Sequence, residues 1–404
     1  MLLISGFAML LGGCKSNPSG PAGDSIFLTN GRITVNNNPN GDRIKTYPDK
    51  DVPIDTTLGT IASFGKRTAK FKLKLRAEVI PPVSGGVTLQ ATHIAISGNY
   101  AYVSYNVRGA TYLGGVDVFN ISIKNNPALV SEAIFLNSDV SSVSYSNGKI
   151  YLAEATSDTG FAYPAAVEEI TLVNNLLSLA SRRVGVTSYV ATDARASGTK
   201  LYVTSGSGGP ATGGLAVLDT ATLSIVYSDP FLDARALEFY GTSAVVLQGT
   251  PARFRTYSSA PAFMTSYNVG GATIPESKST INIVLDRAFV GAGDAGAKVV
   301  NLNSGVVIDS IGRVTVAGLD PSLTVTNSVS VNKDILLLAN GEAGVYVAQA
   351  DIDMEATSTV SPHLVLLGAM QFGTAESANF VASSNDVIFV ATGLGGLKIL
   401  EVQY

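Results

Sequence analysis

An all-β chain built by repetition is the fold class this sequence predicts, and three observations carry it. A pattern of turn, apolar run, glycine-containing loop and second alternating run first appears as Gly98–Ser122, GNYAYVSYNVRGATYLGGVDVFNIS. It returns at Asn147–Leu172, at Gly198–Thr222 and, closing the chain, at Asn385–Val402. The composition agrees: 46% hydrophobic and only 14% charged, with 41 Gly in 404 residues, suits strands buried on both faces and turns that need glycine.

The same composition excludes several function classes. A net charge of −4 without a basic run argues against a nucleic-acid partner. One cysteine rules out a disulfide framework. Two histidines far apart in sequence, His93 and His363, make a His-rich metal site or a His-dependent triad a poor expectation, and no metal or cofactor is expected.

Met1–Gly13 is almost wholly apolar or small, too short to span a bilayer and of the kind that ends a secretory signal peptide. Leu11-Gly12-Gly13-Cys14 resembles the lipobox of bacterial lipoproteins, although no Lys or Arg precedes Cys14. That resemblance implies acylation of Cys14, removal of residues 1–13, and a membrane contact made through the lipid anchor. The lysine after the cysteine implies sorting to the bacterial outer membrane. Residues 14–65, rich in Asn, Pro, Gly, Ser and Asp, read as lipidated cysteine and flexible tether. Within them Ile26–Leu28 and Arg32–Val35 offer at most a short strand pair. Residues 66–404 then hold the repeats.

The repeats can be counted. Tyr102 of the first unit aligns with Tyr151, Tyr202, Val245, Phe289, Leu337 and Phe389, at intervals of 49, 51, 43, 44, 48 and 52 residues by subtraction. Such a period matches a propeller blade. One strand earlier, Ile94, Val143, Ala194, Leu237, Ile281, Val329 and Val381 form a column that is apolar in every unit. The expectation is a seven-bladed β-propeller of four-stranded antiparallel blades. The first unit shows its fourth strand at Ala128–Leu136, whereas the last unit ends at Tyr404 with three. Ala69–Val79, where Phe71, Leu73 and Leu75 alternate with Lys72, Lys74 and Arg76, is expected to supply the missing strand and close the ring.

The units YVSY…GGVDVFNIS, YVTS…GGLAVLDTA and FVAT…GGLKILEV resemble LVIVD-type repeats, found in β-propeller lipoproteins and other secreted bacterial proteins. The resemblance covers Ala91–Tyr404. It departs in the fourth unit, where no Gly-Gly precedes Ala252–Tyr257, and in the fifth. It implies a fold and an extracytoplasmic setting, not a reaction.

Site candidates follow from propeller topology, in which the first strand of each blade lines the channel. The alignment places Thr92, Ser141, Thr192, Arg235, Ser279, Asn327 and Asn379 at the channel mouth, with His93, Asp193, Asp233 and Glu238 beside them. Arg235 needs an anion or acceptors, which Asp193 or Asp233 could supply. The loops between second and third strands share that face, and the longest carry Arg108, Tyr112, Asp158, Phe161 and Tyr163. Gly206–Gly214 and Gly291–Gly296 do not read as phosphate loops, because a strand and not a helix follows each. The expected role is a monomeric, non-catalytic binding platform for a protein or an envelope or nutrient glycan. The alternative is a hydrolase or lyase using carboxylates across the channel, among them Glu154, Asp193 and Glu238.

Overall fold

The computed structural model describes residues 27–57, 68–206, 212–250, 252–269, 278–357, 360–373 and 376–404. Cys14 and its lipobox lie outside the described residues. Seven antiparallel sheets follow one another along the chain as a seven-bladed β-propeller. Blades 1 to 6 occupy residues 90–135, 138–185, 190–230, 234–268, 281–311 and 328–370. Blade 7 takes three strands from residues 380–403 and its fourth from Lys72–Val79, which pairs antiparallel with Leu397–Gln403. The expected ring closure is therefore present.

Seven blades need seven interfaces, and the hydrophobic core is divided in that way. Seven buried clusters each join two neighbouring blades; one, for example, packs Tyr202, Leu215 and Val217 of blade 3 against Leu237, Ala244 and Val246 of blade 4. Successive residues of a strand point to opposite faces, so Tyr102 packs toward blade 2 while Ala101 and Val103 pack toward blade 7. The unbroken apolar runs of the sequence are strands covered on both sides.

The glycine that precedes or opens the third strand has a steric reason. At Gly344 φ is +86° and a Cβ would sit 2.4 Å from the carbonyl oxygen of Met370, at the end of the fourth strand. At Gly396 φ is +73° and the same atom would lie 2.0 Å from the Val79 oxygen. A side chain here would collide with backbone of the outer strand.

One sequence expectation is corrected. Residues 14–65 were expected to be tether, yet 27–55 lie on the propeller. Ile33–Asn36 adds to the outer edge of blade 1 by pairing with Ala128–Phe135, and Phe27–Thr29 adds outside it. Ile44–Asp51 adds to the outer edge of blade 7 by pairing with Lys72–Val79. Asp55 then bridges to Ala369 in the outer strand of blade 6. This arm crosses the seam between the last and first blades. Its polar composition misleads because an open blade edge supplies the backbone partners, so only alternate residues need be apolar. Ile33 and Val35 are those residues, both fully buried at the interface of blades 1 and 2.

Candidate functional site

The polar residues expected at the channel mouth mostly pin one blade to the next. Thr92 Oγ1 donates to Val140 O at 3.0 Å, linking blades 1 and 2. Thr192 Oγ1 donates to Ala234 O at 2.9 Å, and Asn379 Nδ2 to Ala91 O at 3.1 Å across the seam. Deeper in the ring Val331 N donates to Asn282 Oδ1 at 2.9 Å, and Ser330 meets Ser383 at 2.8 Å. The column is polar because each inner strand must satisfy backbone groups of its neighbour.

Arg235 is bound on its own blade. It forms a two-nitrogen contact with Asp233, Nη2 donating to Oδ2 at 2.9 Å. Asp193 lies elsewhere, inside the channel. Its oxygens accept from Ser142 Oγ at 3.1 Å, Ala194 N at 2.9 Å and Leu237 N at 3.1 Å. Between Asp193 and Glu238 stands Arg195, a residue the sequence reading passed over. Its Nε donates to Asp193 at 3.2 Å and its Nη1 to Glu238 at 2.6 Å. The signal was available: Arg195 and Glu238 fall one residue after the apolar column, as charges of opposite sign on consecutive blades.

Around this ion triad the channel holds a cavity of 390 Å³, lined by His93, Arg195, Glu238, Asn282 and Ser330 among polar groups, with Phe239 and Phe380 among apolar ones. His93 is 5% exposed. Burial pushes its pKa well below the usual imidazole range, and the charges of Lys278 and Arg195 add to the effect. Its Nδ1 accepts the Val143 N–H at 3.5 Å, and its ring sits 4.0 Å from that of Phe380. Lys278 also escaped the sequence reading. It stands just before the inner strand of blade 5 and crosses to blades 1 and 2, where Nζ donates to Thr92 O at 2.9 Å and Ser141 O at 3.0 Å.

The loop candidates divide. Arg108 and Tyr163 are exposed and Tyr112 is partly so. Asp158 instead pairs with Arg183 at 2.9 Å, and its pKa falls, first through the Gly160 N–H and also through Arg183. Arg183 lies under the Phe161 ring and beside Glu154 and Glu168, each at 3.4 Å. Arg32 of the arm closes this cluster with two hydrogen bonds to Glu168, at 2.6 and 2.8 Å. Glu154 is fully buried here, its pKa raised by burial and by Glu168. It therefore belongs to the contact of blades 1 and 2, not to the channel with Asp193 and Glu238.

The loops between second and third strands and the connections between blades share one face of the ring; the tight turns occupy the other. On this loop face Val83, Val87, Tyr163, Tyr189, Leu232 and Leu394 are all exposed, from loops of blades 2 and 7 and from the connections of blades 7 to 1, 2 to 3 and 3 to 4. Among the described residues no group of three or more His, Cys, Asp or Glu could hold a metal ion. No described helix is long and apolar enough to cross a membrane.

No family model matches the chain, and no curated protein sequence matches it. Solved structures match it in fold. A chain of a "Crystal Structure of Mitotic Checkpoint Complex" is 12% identical at a TM-score of 0.54, over 89% of this chain and 97% of that one. A chain described as "Structure of U3-55K" is 12% identical at a TM-score of 0.56, over 81% and 98%. At that identity the likeness is one of propeller fold alone.

Proposed function

We propose that this chain is a lipid-anchored, extracytoplasmic propeller of the LVIVD-repeat kind that serves as a non-catalytic binding platform for another protein, held at the bacterial outer membrane through Cys14. The observation that carries the binding role is the loop face. Aliphatic and aromatic side chains stand exposed there on a ring whose blades are pinned to one another, so the surface is presented rigidly and little ordering entropy is lost on contact. Isolated valines and leucines favour a protein partner over a glycan, which would be met by aromatic planes and hydrogen-bonding groups. The catalytic alternative loses its carboxylate pair, because Asp193 and Glu238 share one guanidinium and Glu154 is elsewhere.

Site-specific photocrosslinking in the source bacterium tests the platform. A photoreactive residue at Tyr163 or Tyr189 is expected to capture the same partner, and one at Ile225, an exposed position on the outer strand of blade 3, is expected not to. Equal capture from all three positions, or none from the first two, would refute it. Radiolabelled palmitate incorporation, lost in Cys14→Ser, tests the anchor separately.

A further inference from the structure

We infer that the central channel is a blind, donor-lined pocket that binds a small organic carboxylate, entered from the face of the tight turns. The cavity follows the inner strand of blade 1 from His93 to Ser97, where the turn to the second strand begins, so it reaches the surface on that side. Toward the loop face the passage is barred. Lys278, rooted just before blade 5, spans the ring and fastens to two carbonyls on the opposite wall, immediately above His93.

What the pocket binds follows from which hydrogen-bonding groups are already engaged. Each carboxylate oxygen already has a donor. Both oxygens of Asp193 hold two donors each, and the oxygens of Glu238 hold Arg195 Nη1 and the Phe239 N–H. The hydroxyls of Ser144, Ser330 and Ser383 are bound to the next blade or to each other. Not every donor is engaged. With Nδ1 of His93 accepting from Val143, the neutral ring carries its proton on Nε2, which meets no acceptor among the described residues. Arg195 uses Nε and Nη1, leaving both N–H groups of Nη2. The unmet N–H groups belong to His93 and Arg195, in a wall that is 95% closed to solvent at His93. An acceptor-rich group satisfies them, and a carboxylate does so with charge assistance from Arg195.

The rest of the ligand has an apolar lining to meet. Ile96, Phe239, Ile281 and Phe380 are among the residues that line the cavity, Phe380 against the His93 ring. A volume of 390 Å³ lies at the lower end of the range for small-molecule sites, which suits a compact acid with a hydrophobic body. This pocket and the loop face are separate surfaces, so either assignment can fail without the other.

Fluorine NMR of para-fluorobenzoate titrated with the full-length chain provides the test, with para-fluorobenzyl alcohol and para-fluorobenzylamine as neutral and cationic comparators. The benzoate is expected to bind saturably and about tenfold more tightly than either comparator, as one charge-assisted contact would give. Ala95→Leu, which fills the cavity from a small wall position and touches none of the charged groups, is expected to abolish binding with the unfolding midpoint unchanged. Tyr163→Ala on the loop face is expected to leave it unaltered. Absence of binding, equal binding of the three probes, or binding that survives Ala95→Leu would each overturn the proposal.

Discussion

Arg43 offers the sharpest test of how the ring is kept shut. It sits at the end of the 3₁₀ turn Gly41–Arg43, between the arm strand on blade 1 and the arm strand on blade 7. Its guanidinium meets Asp117 through Nη2 at 2.6 Å and Nη1 at 3.1 Å, and Glu132 through Nη1 at 2.7 Å. Its Nε donates to Ile80 O, just past the closing strand, at 2.9 Å. One side chain thus ties together the arm, blade 1 and the end of blade 7. In Arg43→Met the two carboxylates fare differently. Glu132 is 22% exposed and keeps Asn36 as a donor, so water replaces most of what it loses, at about 0.5 kcal/mol. Asp117 is 1% exposed and keeps only the Tyr105 hydroxyl, at 2.7 Å. An uncompensated buried charge of this kind costs about 3–5 kcal/mol. Urea unfolding followed by circular dichroism should therefore show Arg43→Met destabilised by about 3–4 kcal/mol. Adding Asp117→Asn should recover more than half of that, since it removes the stranded charge and preserves the shape. Hydrogen exchange should quicken first in 27–51 and 72–79. A single variant within about 0.5 kcal/mol of the parent, or a double variant no better than the single, would refute the argument.

Three further outcomes are expected. Asp139, whose Oδ1 accepts the Val107 and Leu113 N–H groups at 3.3 and 3.2 Å, ties down both ends of the loop that carries Arg108 and Tyr112. Burial raises its pKa from 3.8 to about 6, above the unfolded value, so the stability it lends is complete below pH 3.8 and is lost as pH rises through about 6. Asp139→Asn keeps the accepting oxygen and should be more stable than the parent at neutral pH, by about 1 kcal/mol after screening of this partly exposed group, and no different in acid; thermal melts across pH decide it. Gly344→Ala should cost at least about 2 kcal/mol in urea unfolding, because a positive φ is joined by the Met370 carbonyl, whereas Gly98→Ala, at φ +55° with open space around it, should cost only about 1 kcal/mol. Equal losses would show that the outer-strand contact is irrelevant. Burial lowers the Lys278 pKa from 10.5 to about 8, with Asp193 opposing. His93 is already neutral there and Arg195 stays charged, while the Lys278 charge acts on the His93 wall from just outside the cavity; para-fluorobenzoate affinity should therefore fall as pH rises through about 8, and the step should vanish in Lys278→Gln, whereas a flat profile in the parent would show that this charge is not felt in the pocket.

Which features the sequence disclosed depended on whether a residue's partner was local or repeated. A strand buried on both faces needs an apolar run whatever its neighbours are, and the run recurs with each blade, so the seven units and the closing strand at Lys72–Val79 could be read directly. The fourth and fifth units are degenerate in the Gly-Gly motif and still fold as blades. In blade 5 a single glycine is enough: Gly296, at φ +76°, has the Ile311 carbonyl 2.1 Å from where its Cβ would be. The part of the motif under physical constraint is the glycine facing the outer strand. Polar residues are different, because their type says that an acceptor is needed but not which one. Thr92 and Thr192 lie on inner strands and Asn379 one residue before one, yet their acceptors lie about one repeat distant or across the seam, and the same residues suit a wet channel wall equally well. Asp158 was placed among the binding candidates for the same reason, its partner Arg183 being two strands away. Of the arm only the short strand pair at Phe27–Thr29 and Ile33–Asn36 was legible, and its docking on the blades was not. Arg32 and Arg43 are surface-like residues in a polar segment until blade edges and buried carboxylates are set beside them. A ring built from near-identical units has one place where the chain cannot continue into the next unit. Arg43 breaks the repeat at that seam, where no period could have announced it.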